Sequence, residues 1–262
     1  MDRKMHSMAR LVFEQLFGLI SFLIISKRGL VVFSMARGRY WDNSRALFEH
    51  MLDTKNGDLE VIWLADPGLD IGIVPDRYRS TIIPRNSTKG FFLCARAQFA
   101  IICHGFGDFG LYRQVAKKKT VINLWHGIGI KYLGFLDENF TKKSKKKYVS
   151  NETAHYDRLI CSSDIDRYYS ASYTGMDVNA VEVTGLPRND RIFQVSHIKK
   201  AESEWFSVLY APTFRDFEVE GQSVIFPFPH DAALLAAWCR AVGFRFFLRP
   251  HPNDIESVRH VQ

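Results

Sequence analysis

With 262 residues, 47% of them apolar, the chain is long enough for two α/β domains of about 100 to 150 residues and too apolar to be disordered. Thirty-five Lys and Arg against 28 Asp and Glu leave a formal charge of +7, which favours anionic partners: phosphorylated metabolites, polyanions, nucleic acid or acidic lipid. Cys94, Cys103, Cys161 and Cys239 lie far apart with no C-x-x-C pair, which argues against a zinc site or a disulfide framework and for buried thiols in a reducing compartment.

Residues 1–28 form the first segment, an apolar or amphipathic helix. The run at 11–25, LVFEQLFGLISFLII, holds fifteen residues and is interrupted by Glu14 and Gln15, which is short of the roughly 20 apolar residues a membrane span needs. No clear small-x-small cleavage site follows it, so a signal peptide is not expected. Phe13, Leu16, Phe17, Ile20 and Ile24 fall on one helical face. With the flanking Lys and Arg, that face suits either core packing or an interface with anionic lipid.

From Gly29 the rhythm is strand then helix. Strands are expected at 29–35, 60–66, 80–84 and 99–104, with helices after Ser44 and over 89–98; Asn43 or Ser44 is the expected cap of the first of these. The stretch VINLWHGIGIKYLG at 121–134 reads as another buried strand, ending at His126 with Gly127 and Gly129 beside it. A polar segment with five lysines, Lys142, Lys143, Lys145, Lys146 and Lys147, is the expected surface connection near a domain boundary. The alternation then resumes, with strands at 157–162, 180–185, 205–212 and 244–250 and helices at 163–173, 189–203 and 230–242. Continuous apolar strands alternating with helices predict parallel sheets covered on both faces. The expected domains are 29–150 and 151–262. The second is expected to be incomplete, because the chain stops twelve residues after Pro250.

Five strand ends carry polar residue types, and ligands of open α/β sheets bind beyond the carboxyl ends of strands. His126 is the best candidate general base, since an imidazole titrates near neutrality. His251 sits between two prolines that hold its backbone rigid, and Arg249 beside it offers a bidentate anion contact. Thr213, Arg215 and Asp216 combine hydroxyl, guanidinium and carboxylate, a set suited to phosphate and ribose. Arg188 and Asn189 follow the same logic, although Asn189 and Asp190 equally suit a helix start. Ser162, Ser163 and Asp164 read as a helix cap. There is no H-x-x-x-H and no P-loop, so neither a metal nor a cofactor is expected.

Five stretches occur in a fixed order: F-S-x-x-x-G-x-Y-x-D-N-S at 33–44, W-H-G with Lys131 and Gly134 after it, T-G-L-P-R-N-D at 184–190, Y-A-P-T-F-R-D at 210–216, and R-P-H-P at 249–252. Together they resemble the CDP-glycerol glycerophosphotransferases that build teichoic acids and related capsule polymers. The resemblance implies a GT-B-like fold, two Rossmann-like domains whose parallel sheets face a cleft. It implies attack of a polyol hydroxyl on the β-phosphorus of CDP-glycerol, with CMP leaving. His126 would then be the base on the acceptor side and His251 the donor-phosphate residue, with Arg188, Asn189, Thr213, Arg215, Asp216 and Arg249 also on the donor. Lys131 and the lysine run would dock an anionic polymer, a lipid-linked acceptor or an anionic membrane surface. The implied setting is the cytoplasmic face of the plasma membrane, peripherally bound, with no nucleic acid partner. Two other readings stand beside it: a GT-B glycosyltransferase using a CMP- or CDP-linked sugar, and a non-catalytic protein that binds polyanions or membranes.

Overall fold

The computed structural model describes residues 2–35, 39–54, 57–129, 132–195, 205–212, 218–219, 222–223 and 232–249. The chain divides into two compact units, Met1–Val195 and Ser196–Gln262.

The first unit opens with α1 (Asp2–Ile20), followed by β1 (Leu30–Ser34), α2 (Asp42–Asp53), β2 (Glu60–Ala65), β3 (Ile82–Pro84), α3 (Thr88–Arg96), β4 (Phe99–Ile102), α4 (Arg113–Ala116) and β5 (Thr120–Asn123). It continues through α5 (Lys142–Asn151), β6 (Arg158–Cys161), α6 (Asp164–Thr174), β7 (Val181–Val183) and α7 (Asp190–Val195). The seven strands form one sheet in the order β3-β2-β1-β4-β5-β6-β7, and every neighbouring pair is parallel. The direction of winding reverses between β1 and β4, the place where such sheets open a crevice at their carboxyl edge.

Side-chain alternation along the strands fills the two faces differently. Leu30, Val32, Ile62, Leu64, Ala100 and Ile102 point to the side covered by α3 and α4, where Phe91, Cys94, Val115 and Ala116 meet them. Val31, Phe33, Val61, Trp63 and Ile101 point to the other, where Phe48 of α2 packs with Tyr40 and Tyr78. Phe33 lies parallel to Trp63 with ring centroids 6.1 Å apart, and Phe48 meets Trp63 edge-on at 5.3 Å. Each such side chain contributes about 1.5–3 kcal/mol by leaving water. All four cysteines are unpaired and buried.

Three expectations change. The strands expected to open a second domain, β6 and β7, belong to the first sheet, so the boundary falls after Val195 rather than at 150/151. The lysine-rich connection is helical: Thr141 Oγ1 caps α5 by accepting from Ser144 N at 3.2 Å. Asn43 and Ser44 do not cap α2, whose N-cap residue is Trp41. By contrast Ser163 caps α6 as read, its Oγ accepting from Asp166 N.

The orientation of α1 also departs from expectation. Its inward stripe is Glu14, Phe17 and Gly18, continued by Ser21 just past its end; Glu14 is 2% exposed, pairs with Arg10 at 2.9 Å and lies 4.0 Å from Arg113 of α4. Of the expected apolar face only Phe17 and Ile24 pack on the core. Phe13, Leu16 and Ile20 face solvent, together with Leu11, Val12 and Leu19. Charge pairing turns Glu14 inward, and the apolar side chains are left outside. No helix among the described residues is long and apolar enough to cross a membrane.

The described part of the second unit holds β8 (Phe206–Tyr210), the short strands β9 (Glu218–Val219) and β10 (Gln222–Ser223), α8 (Ala232–Val242) and β11 (Phe244–Leu248). β8 and β11 pair in parallel, β9 and β10 antiparallel. Trp238 of α8 packs against Phe244 with centroids 5.6 Å apart.

Candidate active site

The carboxyl edge of the large sheet is built around one buried carboxylate. Asp108 Oδ2 accepts from the backbone N–H of Cys103 at 2.9 Å and of His104 at 3.0 Å, which bends the chain sharply at the end of β4. Its own carbonyl accepts from Ser34 Oγ of β1 at 2.7 Å and from the Arg85 guanidinium at 2.5 Å. Arg85 also pairs with Asp66, just past β2. Three neighbouring strand ends are thereby tied together, and His104 is set at the rim beside the winding reversal.

His126 comes from the end of β5. Trp125 before it has φ 48°, a left-handed conformation that a non-glycine residue adopts only when its surroundings hold it there. The holding groups are visible. Trp125 N donates to Asn123 Oδ1 at 2.8 Å, and its carbonyl accepts from Asn43 Nδ2 at 2.9 Å and from the Cys103 thiol at 2.7 Å. Gly127 follows at φ 151°. This sharp reversal carries the His126 ring back over β4. There its Nδ1 lies 3.2 Å from the Cys103 carbonyl, and the ring stacks on His104 with centroids 4.7 Å apart and planes 12° from parallel.

A carbonyl only accepts, so Nδ1 carries the proton in this contact and Nε2 keeps its lone pair. Burial against its neighbours, then the nearby His104, hold the imidazole below its usual range of about 6.5. The Cys103 contact and Asp42 oppose that shift, and Arg188 adds to it. The result is a neutral ring at pH 7 with one nitrogen available as a base. His104 Nδ1 is in turn 3.8 Å from Asp108 Oδ1.

Arg188 and Asn189 sit in a short turn, Pro187–Asn189, within the same compact unit as His126. Arg188 Nη1 pairs with Asp42 at 2.5 Å, and its backbone N–H donates to Asn43 Oδ1 at 3.2 Å. Lys142, Lys143, Lys146 and Lys147 are exposed on α5, while Lys145 turns back to donate to the Phe135 carbonyl at 2.8 Å. Arg249 is exposed at the end of β11 in the second unit, its N–H donating to the Tyr210 carbonyl at 2.9 Å. Lys131, Thr213, Arg215, Asp216 and His251 lie outside the described residues. Among the described residues, no group of three His, Cys, Asp or Glu side chains is placed to hold a metal ion.

The sequence pointed to His126 but gave no role to the residues that set its chemistry. His104 is the last residue of the strand expected at 99–104. Asn43 read as a helix cap. Their signal was the D-N pair in the first of the ordered stretches and the H-G-F-G-D run after β4.

A family model described as CDP-glycerol:poly(glycerophosphate) glycerophosphotransferase matches residues 16–261. The chain is similar to the teichoic acid ribitol-phosphate polymerase TarL of Staphylococcus aureus, 24% identical over 256 residues, which cover 92% of this chain and 43% of that protein. It is similar also to a teichoic acid ribitol-phosphate primase of Bacillus spizizenii, 25% identical over 222 residues, 78% of this chain and 54% of that one. Among solved structures, that of the wall teichoic acid polymerase TagF superposes with a TM-score of 0.67 at 19% identity, covering 95% of this chain and 63% of that one. The shared α/β fold is the GT-B-like one. The chain spans about half the length of the curated relatives it matches.

Because His104 depresses the His126 titration, replacing it should raise it. In a His104→Asn variant the His126 midpoint, followed by proton–carbon NMR on histidine-labelled protein, is expected to move up towards 6.5, lowering the free-base fraction near pH 6. An unchanged or lower midpoint contradicts the role given to His104.

Proposed function

Because this chain belongs to the CDP-glycerol:poly(glycerophosphate) glycerophosphotransferase family, we propose that it transfers a polyol phosphate from a CDP-linked donor to a hydroxyl of a teichoic-acid-like polymer or lipid-linked primer. The observation that carries this reading is the neutral His126 with Nε2 free at the carboxyl edge of the sheet. In the reaction, Nε2 takes the proton of the acceptor hydroxyl while its oxygen attacks the β-phosphorus. The bond from that phosphorus to the bridging oxygen breaks, and CMP leaves with the bridging oxygen. His251 and Arg249, with Thr213, Arg215 and Asp216, are the residues we assign to the donor phosphates. The relatives' names speak of ribitol phosphate and the family's of glycerophosphate, so the donor is a CDP-linked polyol of one of these two kinds.

Membrane attachment is part of the proposal, and the outward apolar face of α1 supports it. Leu16 and Leu19 of α1, with Phe22 and Leu23 just past its end, are all exposed, and Lys118 lies over the Phe22 ring at 3.2 Å. An exposed apolar stripe rimmed by cations fits the surface of an anionic bilayer. The lysines of α5 are proposed to help hold the anionic acceptor or the same surface. The protein is then peripheral on the cytoplasmic face.

Two measurements test these readings. With a glycerophosphate primer and CDP-glycerol or CDP-ribitol as donor, His126→Asn is expected to slow CMP release by about 10²–10⁴-fold; activity within a factor of two of the unsubstituted protein removes the base. In flotation with phosphatidylglycerol vesicles, Leu19→Glu combined with Leu23→Glu should abolish binding without lowering the melting temperature. Retained binding moves the membrane contact away from α1.

A further inference from the structure

A cavity of about 330 Å³ opens on the first unit between the start of α2 and the turn that leads into α7. Trp41, Asp42, Arg45, Glu49, Arg188 and Arg191 line it. Trp41 is 37% exposed, and the guanidinium of Arg39 stacks over its ring at 4.2 Å. The two acids are already matched: Asp42 to Arg188 at 2.5 Å, and Glu49 to Arg45 at 2.9 Å. Arg191 is the surplus cation of the lining, exposed without a carboxylate partner among the described residues, and Arg39 on the Trp41 ring adds a second beside it. The wall is therefore cationic in net, polar, and floored by one aromatic ring.

The cavity adjoins the candidate base. Arg188 Nη2 stands 3.5 Å from where a Cβ on Gly127 would lie, and Asn43, beside Asp42, bonds the Trp125 carbonyl. A mobile metabolite would need no second anion site at this distance from the base. A polymer whose backbone repeats a phosphodiester would, because its terminal hydroxyl reaches Nε2 only when the preceding unit is held.

We infer that this cavity is a subsite for the acceptor chain, in which Arg191 and Arg39 hold the phosphodiester preceding the reactive end and Trp41 packs on the polyol between. The inference rests on the acceptor role proposed for His126. It predicts binding of the acceptor without nucleotide or turnover. A defined glycerol-phosphate trimer and, separately, CDP-glycerol are titrated into the full chain by calorimetry.

Arg191→Gln is expected to weaken trimer binding about fivefold, Arg39→Gln with Arg191→Gln more than tenfold, with a shallower salt dependence and an unchanged Kd for CDP-glycerol. Arg191 is exposed, so the fold tolerates its loss, and matching far-ultraviolet spectra of both variants check this. Failure of the trimer to bind, an unchanged trimer Kd in the double variant, or an equal loss of CDP-glycerol binding each overturns the subsite. None of these outcomes bears on proton removal by His126, which the CMP-release comparison tests by itself.

Discussion

One buried amide holds the candidate site together. Asn43 is fully buried, and its Nδ2 donates to the Leu124 and Trp125 carbonyls at 3.1 and 2.9 Å while its Oδ1 accepts from Arg188 N. The end of β5, the start of α2 and the turn after β7 meet at this side chain, although 145 residues separate the most distant partners. Only an amide can serve all three, since it offers two donors and an acceptor on one planar group. An aspartate would set a carboxylate against two carbonyls. An alanine would strip the Leu124 carbonyl and the Arg188 N–H of this partner and leave the Trp125 carbonyl only the Cys103 thiol, at a cost of about 1–3 kcal/mol for each buried group left unpaired.

What the clamp holds is a strained turn. Trp125 at positive φ is the conformation that swings His126 back over β4, and there the Cys103 carbonyl selects the ring's tautomer. The same region is stiffened from below by Asp108 and Arg85, so the His104 ring is fixed where it stacks on His126. Preorganisation of this kind is what a general base needs: a ring that is neutral at working pH, with its lone pair aimed by packing rather than by chance. Arg188 and Asp42 complete the arrangement by placing a cation and an anion within reach of the imidazole without binding it directly.

The strands were legible because each is an unbroken apolar run between turn residues, and all seven of the first sheet lie where the runs predicted. His126 was legible for the same reason, standing where such a run stops. The domain boundary was not. β6 and β7 have the same local character as a new domain's opening strands, and only the pairing of β6 to β5 and of β7 to β6 shows that they continue the first sheet. The face of α1 misled because periodicity counts apolar residues and is blind to a glutamate that meets an arginine, Arg113, on another helix. Asn43 was read as a helix cap and not as a clamp because its partners are 81 and more residues away, and local sequence has no means of recording them.

The account stands on His126 being a neutral imidazole protonated at Nδ1, with Nε2 free for the acceptor hydroxyl. A long-range proton–nitrogen correlation spectrum of histidine-labelled protein at pH 7 reports this directly. The account predicts that His126 shows the pattern of a neutral ring with Nδ1–H and an unprotonated Nε2. A ring protonated on both nitrogens, or one carrying its proton at Nε2, would contradict it.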